Sequence, residues 1–236
     1  WTVDLEGPNS SVTERTVQIR YGPRELNNLK WTIGVESPQV DFTKPDSIQN
    51  AFQSFPDLSG RLRKDRPWGH VQVAGILRSI SAKDASNELF VKVGWGVLVS
   101  GQYDWDDDKE ILWQAVLGAG ISRFVGSLTN RGLDIIYIPE KNDYQLLSTF
   151  GGFASVGVTW TKDLYSHFTP GFTQIIDYEY QPDDSFKFSG YFSSNLFWNI
   201  ADGMRSGLEY SFGSRQNKNG ESGTANRIAF IFYYDF

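Results

Sequence analysis

The sequence lacks cysteine entirely, and it has only two histidines and one methionine among its 236 residues. The absence of cysteine excludes disulfide bonds, thiol nucleophiles and thiolate metal sites. No run of about 18 apolar residues occurs, so no membrane-spanning helix is predicted. The formal net charge of −6 argues against nucleic acid as a partner. The chain is therefore expected to lack thiol chemistry, spanning helices and a nucleic-acid interface.

Aromatic residues are abundant, at 15% of the chain, although the mean hydropathy is negative at −0.37. A period of two along the sequence explains how a high aromatic content and a negative mean hydropathy can occur together. A typical segment alternates the apolar set Leu29, Trp31, Ile33 and Val35 with the polar set Lys30, Thr32, Gly34 and Glu36. Such alternation predicts strands with one apolar face and one polar face. The pattern recurs over most of the chain, which predicts an all-β protein.

Short and long connections between these strands alternate along the chain. Short polar links fall near 22–27, 65–68, 104–108, 162–163 and 201–203, and longer ones near 38–56, 80–88, 123–145, 178–185 and 216–224. Short turns at one end and long loops at the other are typical of a transmembrane antiparallel β-barrel of the porin type. A soluble β-sandwich would also alternate, with the aromatic rings buried in its core.

The last nine residues form the most aromatic strand of the chain. Ile228, Phe230, Phe232, Tyr234 and Phe236 share one face. A soluble protein would rarely leave such a strand as an edge, because aromatic edges aggregate. The segment resembles the final strand of bacterial outer-membrane β-barrels, in which the rings face lipid. In that case Phe236 would be the contact for the barrel-assembly machinery.

The pattern predicts one barrel domain over residues 1–236, with about eleven or twelve strands. Asp134–Ile138 is interpreted as a ribbon within an extracellular loop at 123–145, and the loop at 38–56 could fold inward and narrow a pore. Bacterial single-chain barrels have an even number of strands. We therefore expect that the chain as given lacks the N-terminal strands of the full protein. The alternative is a complete barrel of about twelve strands.

Three sets of motifs carry a family resemblance. They are Leu5-Glu6-Gly7-Pro8-Asn9-Ser10-Ser11-Val12 with Val17–Tyr21, then Trp68–Arg78, and finally Gly207–Tyr210 with Gly213–Gly220 and Gly223–Ile228. In this order they resemble the DcaP-like family of outer-membrane porins. The resemblance implies a homotrimeric porin of the Gram-negative outer membrane, with about sixteen strands per protomer. It implies contact with outer-membrane lipid and lipopolysaccharide, and uptake of small negatively charged solutes, dicarboxylates among them.

The strand phases predict which charged side chains would face a lumen. The predicted lining residues are Arg20, Lys30, Arg61, Arg63, Arg78, Lys92, Arg205, Glu209 and Arg227, together with Glu36. Most of them are basic, whereas many acids, such as Asp106–Asp108, Asp183 and Asp184, fall in links. A basic lining would favour anions, since selectivity in a channel follows the charges that line it.

Arg61, Arg63 and Arg78 are the strongest candidates, because they lie on neighbouring strands joined by the turn at 65–68. Arginine presents a planar fork that matches a carboxylate. Each of these arginines could instead brace the wall, as a pair of Arg205 with Glu209 on one strand would.

No cofactor, metal site or catalytic residue is predicted. The run Asp104–Asp108 could offer oxygen ligands to a divalent cation, but it lacks the glycine and bidentate glutamate of a calcium loop. Two other functions remain open: an outer-membrane barrel enzyme, which would need a nucleophile and a base in mutual reach, and a plugged structural or adhesive barrel. Neither His70 nor His167 lies in a nucleophile motif.

Overall fold

The computed structural model describes residues 2–3, 7–22, 28–42, 48–53, 55–84, 89–176 and 179–235. The strands in these residues are β1 (Gln18–Tyr21), β2 (Leu29–Glu36), β3 (Ile48–Phe52), β4 (Asp57–Arg66), β5 (Gly69–Asp84), β6 (Leu89–Asp106), β7 (Lys109–Ala119), β8 (Ile135–Ile138), β9 (Asp143–Leu146), β10 (Ser148–Thr161), β11 (Leu164–Ile175), β12 (Phe186–Ala201), β13 (Met204–Asn217) and β14 (Ser222–Tyr234). Single 3-10 turns span Ser122–Phe124 and Pro139–Lys141.

One antiparallel sheet of 12 strands contains most of the chain. Its strands follow the order β1-β2-β4-β5-β6-β7-β10-β11-β12-β13-β14, and β3 pairs with the end of β5. β8 and β9 form a separate two-stranded ribbon. The interpretation of Asp134–Ile138 as a ribbon rather than a strand of the main sheet is therefore confirmed. The order is that of successive hairpins, because neighbouring strands are joined directly or by a loop.

The apolar face of the sheet is exposed along its whole width. Ile19 on β1 is 81% exposed, Leu77 on β5 is 54% exposed and Phe230 on β14 is 70% exposed. A β-sandwich would bury these side chains between two sheets. The sandwich interpretation is therefore wrong, and the exposed side chains form a continuous apolar surface. Among the described residues, no helix is both long and apolar enough to cross a membrane.

The short turns lie at one end of the sheet, as the sequence predicts. They fall at residues 67–68, 107–108, 162–163 and 202–203, while residues 23–27 lie outside the described part. Exposed aromatic rings surround this end, including a contact between Trp68 and Tyr103 with centroids 5.6 Å apart. Trp160 and Trp198 lie beside two of the other turns and are also exposed. Such rings are typical of the belt at a membrane interface.

The sheet curves around its polar face. β6 and β14 are six steps apart in the strand order, which would separate them by roughly 29 Å in a flat sheet. Asp104 on β6 and Tyr233 on β14 nevertheless line one cavity of about 640 Å³. The polar face is therefore the inside of a curved wall, and the apolar face is its outside.

Two segments pack against this inner face. We call residues 7–17 the inner strap and residues 120–147 the inner loop. The strap runs beside the loop through a bridge between Val12 and Val125 and a hydrogen bond from the Gly126 N–H to the Ser11 carbonyl oxygen. The buried apolar core lies here rather than in the sheet itself, with Val125 and Leu128 fully buried. The strap precedes β1, which begins at Gln18.

Gly118 shows how closely the backbones approach. A Cβ atom there would lie 2.2 Å from the Trp95 carbonyl oxygen and 2.7 Å from the Gly96 Cα. We expect Gly118→Ala to lower the free energy of unfolding by about 1–3 kcal/mol, because backbone atoms must shift to make room. Urea titration of the protein in lipid vesicles measures this change.

Gly213→Ala is the matched control, because no atom lies within 4 Å of the Cβ that it would add. Its unfolding free energy should stay within about 1 kcal/mol of the parent protein. Equal stabilities for the two variants would contradict the close approach at Gly118.

Candidate functional site

The charged side chains predicted to line a passage lie on the inner face. Each is out of phase with the exposed apolar side chains of its own strand: Arg20 on β1, Lys30 on β2, Arg61 and Arg63 on β4, Arg78 on β5, Lys92 on β6, Arg205 and Glu209 on β13, and Arg227 on β14. The neighbouring side chains differ greatly from one of these residues to the next. The strand face on which a residue lies is therefore not enough to assign its role.

Three of the predicted cations are tethered by acids. Asp65 lies 2.8 Å from Lys30 Nζ and 2.8 Å from Arg63 Nε. Lys92 Nζ lies 2.7 Å from Asp143 Oδ2 on the β8–β9 ribbon. These partially exposed pairs reduce the local positive charge, and each adds little to stability.

Arg78 was predicted to line open space, but the structure buries it. Its side chain has no accessible surface, and its guanidinium faces Asp57 and Asp134 at 3.3 and 3.0 Å. Arg61 and Arg63 pair with Ala74 and Gln72 on β5, several residues along that strand from Arg78. The prediction of one open patch formed by these three arginines is therefore wrong. The sequence could not show this, because Asp134 lies 56 positions away in the inner loop.

Arg205 and Glu209 do not form the predicted bracing pair. Arg205 Nη1 donates to Tyr165 Oη at 3.1 Å, and its guanidinium lies over the rings of Tyr233 and Phe197. Glu209 is buried and accepts hydrogen bonds from the Val3 N–H at 2.9 Å and from Asn195 and Ser211. Glu209 therefore anchors the start of the described chain to the inner face. Arg227 is exposed on the inner face of β14.

Arg20 and Arg61 share a cavity of about 260 Å³ between the strap and β1–β7. Neither has a hydrogen-bond or ion-pair partner in the part of the chain that the structure describes. The two acids of the cavity are engaged: Glu14 Oε1 lies 3.2 Å from Arg123 Nη2, and Glu36 Oε2 accepts from Thr16 Oγ1 at 2.9 Å. Counted with Arg123, the surroundings carry three arginines and two glutamates, a net charge of +1.

The wall opposite these arginines is apolar. It is lined by Val12, Leu98, Val116, Ile121 and Phe124. Low-polarity walls strengthen the field of a nearby charge, because they offer no competing dipoles. The cavity therefore combines exposed guanidinium groups with a weakly screening wall.

A second cavity, of about 640 Å³, lies at the end of the short turns. Asp104 and Asp106–Asp108 form one side, and Arg205 lies among the residues lining the remainder. His167 Nε2 lies 3.0 Å from Glu110 Oε1 within the same lining. No three acidic or histidine side chains are arranged to hold a metal ion among the residues that the structure describes. The cation-site alternative for Asp104–Asp108 therefore has no geometric support.

Two carboxyl groups outside the main sheet have shifted pKa values. Burial, with a smaller contribution from Asp134, raises the pKa of Asp41 despite hydrogen bonds from the Gly132 and Arg131 N–H groups. Burial also acts on Asp143, but hydrogen bonds from Lys92 and from the Tyr144 N–H outweigh it, so the pKa of Asp143 lies below its ordinary value. Both carboxyl groups help to hold connecting segments against the inner face.

The geometry defines a class of protein before any comparison. A curved antiparallel sheet presents an apolar outer surface, an aromatic belt and a charged, partly filled interior. These are the properties of a transmembrane β-barrel that spans an outer membrane. The comparisons with known proteins agree with this class.

The sequence profile described as DcaP outer membrane protein matches residues 1–236. The chain therefore belongs to the DcaP outer membrane protein family, and the predicted resemblance is confirmed. It is a β-barrel protein of the Gram-negative outer membrane. A comparison with curated proteins finds no match.

Two solved structures show the same fold. The crystal structure of the outer membrane channel DcaP of Acinetobacter baumannii superposes with a TM-score of 0.88 at 16% identity, covering 100% of this chain and 67% of that one. An anion-selective porin from Comamonas acidovorans superposes with a TM-score of 0.60 at 7% identity, covering 92% of this chain and 58% of that one. At these identities the likeness shows the fold alone.

The tethered cations generate a test. Asp65→Asn removes the acid shared by Lys30 and Arg63, so the inner face gains one net positive charge. We expect the reversal potential in a salt gradient to move toward anion preference. The shift should correspond to about a threefold change in the permeability ratio, because one charge at about 6 Å in water contributes about 0.7 kcal/mol.

Asp163→Asn is the control, since Asp163 lies in an exposed turn beside Lys162. It should leave the reversal potential almost unchanged. If Asp65→Asn behaves like this control, the Lys30–Asp65–Arg63 group does not face the conducting space.

Proposed function

We propose that the protein is a diffusion porin that prefers small negatively charged solutes, such as dicarboxylates. The observation that carries this proposal is the cavity of Arg20 and Arg61. These two guanidinium groups face open space without an ion-pair partner among the described residues, while Glu14 and Glu36 are engaged by other side chains. A mobile anion in this space would meet available positive charge.

The spacing of the two arginines suits a solute with two negative ends. Arg20 pairs with Gly34 on one side of β2, and Arg61 pairs with Thr32 on its other side. Their Cα atoms are therefore separated by roughly 12 Å, from two interstrand steps and two residues along the strand. Arginine side chains can close much of that distance, so both forks can reach one small dicarboxylate.

Weak binding is what such a role requires. A channel must attract its solute strongly enough to admit it and weakly enough to release it. Exposed guanidinium groups remain hydrated, so each adds only a modest attraction. Arg61 and Arg20 thus favour passage over retention, and Arg63, held by Asp65, adds a smaller contribution.

The comparisons support this proposal at the level of fold and class. The Comamonas acidovorans porin is described as anion-selective, and it shares the fold of this chain. We extend the proposal to a homotrimer embedded in outer-membrane lipid and lipopolysaccharide. Recognition by the barrel-assembly machinery through Phe236 stays a prediction, because Phe236 lies outside the described residues.

The other two functions have less support. An enzyme of the serine type would need a histidine bonded to a serine hydroxyl. In the described part of the chain, His167 Nε2 faces Glu110, and His70 has no hydrogen-bond partner. A plugged barrel is favoured by the strap and the inner loop, which occupy part of the interior; Asn9 of the strap, for example, donates to Ser189 Oγ on β12. The cavity that the strap and the inner loop leave open beside Arg20 and Arg61, and the second cavity at the end of the short turns, favour a channel instead.

The test replaces both free arginines. Arg20→Gln with Arg61→Gln should lower the anion-to-cation permeability ratio about three- to tenfold, because each lost charge contributes about 0.7 kcal/mol at about 6 Å in water. Reversal potentials of the purified protein in planar bilayers measure the ratio. Uptake of a dicarboxylate into proteoliposomes should fall with it.

Arg66→Gln is the matched control, because Arg66 lies on β4 in phase with the lipid-facing Leu62. It removes one positive charge from the other face and should leave the ratio unchanged. An unchanged ratio in the double variant would contradict the proposal. An absence of open-channel steps in the parent protein would favour the plugged barrel.

A further inference from the structure

The Arg78 side chain bonds to five different residues of the described chain. Its Nε lies 3.3 Å from Asp57 Oδ2, and its Nη1 donates to Asp134 Oδ2 at 3.0 Å and to the Gly120 carbonyl oxygen. Its Nη2 donates to the Gln39 carbonyl oxygen and to Gln53 Oε1, the latter at 3.0 Å. One guanidinium on β5 therefore holds groups from β4, from the inner loop and from the link after β2.

The two carboxylates around Arg78 receive further donors. Gln53 Nε2 donates to Asp57 Oδ1 at 2.6 Å. Asp134 accepts from Ser122 Oγ at 2.8 Å, from the Arg123 N–H at 3.2 Å and from the Asp41 N–H at 3.0 Å. All three charged side chains are fully buried. A buried charge is costly unless it is paired and hydrogen-bonded, so this arrangement strongly disfavours any position of the inner loop that breaks it.

An aromatic contact continues the cluster into the inner loop. The Phe124 ring lies 5.0 Å from the Arg78 guanidinium and 4.8 Å from that of Arg123. Arg123 in turn donates to Glu14 of the strap and to Gln39 Oε1 at 2.9 Å. The cluster thus joins the loop, the strap and the link after β2 to one point on the wall.

The same segments form a wall of the cavity that contains Arg20 and Arg61. Ile121 and Phe124 from the inner loop and Val12 and Glu14 from the strap line it. The position of these residues decides how much of the inner face stays open to solute. Control of that position is therefore control of the width of the passage.

We propose that Arg78 is the positioning residue that sets the width of the passage, by fixing the inner loop and the strap against β5. This role does not depend on which ion the channel prefers. Arg78 has no accessible surface and contacts no solute, so its influence on transport passes through the segments that it holds.

The first measurement is single-channel conductance of Arg78→Met in planar bilayers. Loss of the guanidinium leaves Asp57 and Asp134 unpaired, and we expect the loop to leave its position. Conductance should rise by about 1.5- to 2-fold with greater open-channel noise, since conduction follows pore width. Conductance and noise, rather than the reversal potential, carry this test, because the lost charge would itself affect ion preference.

Arg61→Met is the matched control. It removes an arginine from the same face that contacts neither segment through a hydrogen bond. Under the anion proposal it should shift the reversal potential and leave the noise at the parent level. If the reversal potential of Arg61→Met does not shift, the proposed anion preference is contradicted. The proposed role of Arg78 would be unaffected by that result.

A disulfide provides a rescue that a general loss of stability would not give. The strap is also bonded to the wall, since Asn9 Nδ2 donates to Ser189 Oγ and Gln114 Nε2 donates to the Ser10 carbonyl oxygen, so a disulfide from strap to loop would hold the loop in place. Val12 and Val125 are paired across an antiparallel bridge, a spacing that suits a disulfide, and the chain has no cysteine of its own. In Arg78→Met with Val12→Cys and Val125→Cys, oxidation should return conductance and noise toward the parent values. Reduction should reverse this, and conductance that ignores the redox state would overturn the proposal.

Arg78→Lys is a second variant that tests the proposal if Arg78→Met does not fold. Lysine keeps the charge but cannot reach all the acceptors that the guanidinium fork reaches. We expect intermediate conductance and noise. An Arg78→Lys channel identical to the parent would overturn the proposal, because width would then not depend on those bonds.

Discussion

A single constraint organises this molecule: each strand of the main sheet must present hydrocarbon-compatible side chains to one side and polar ones to the other. Backbone groups inside a bilayer have no water to bond, so pairing between strands must satisfy them. The order from β1 to β14 does this with successive antiparallel neighbours. Because side chains alternate strictly along a strand, the same pairing sends Leu62 outward and Arg61 inward. The composition, with many aromatics and a negative mean hydropathy, is a direct consequence.

The interior follows a different rule. Its segments are irregular, and they are held by buried charges and hydrogen bonds rather than by strand pairing. Arg78 with Asp57 and Asp134 holds one side, and Glu209 with the Val3 N–H holds the other. Between these anchors, Arg20 and Arg61 face an open cavity. The wall supplies stability in the membrane, whereas under the proposed function the interior network determines where solutes pass.

Local pattern was sufficient to predict the sheet, its lipid-facing side and the ribbon at Asp134–Ile138, because alternation depends only on neighbouring residues. It also placed the charged residues on the correct face. It could not predict their partners, because these are far apart in sequence: Arg123 and Glu14 are separated by 109 positions, and Val3 and Glu209 by 206. In the alternation pattern, Arg78 and Arg61 are equivalent. Only the folded inner loop buries Arg78 and leaves Arg61 exposed. The strap was missed for the same reason, since its contacts, such as that of Val12 with Val125, join residues far apart in the sequence.

Lipid contacts the apolar face of the sheet, while water fills the space along its charged face. Adjacent residues on β4 test this arrangement most directly, because the chain contains no cysteine of its own. Single cysteines at Arg61→Cys and Leu62→Cys would be exposed to a charged, water-soluble thiol reagent in planar bilayers. Modification by the reagent should lower the current of the Arg61→Cys channel and leave that of the Leu62→Cys channel unchanged. A fluorophore attached to Leu62→Cys should be quenched by brominated lipid. Current block through Leu62→Cys, with lipid quenching at Arg61→Cys, would contradict this arrangement.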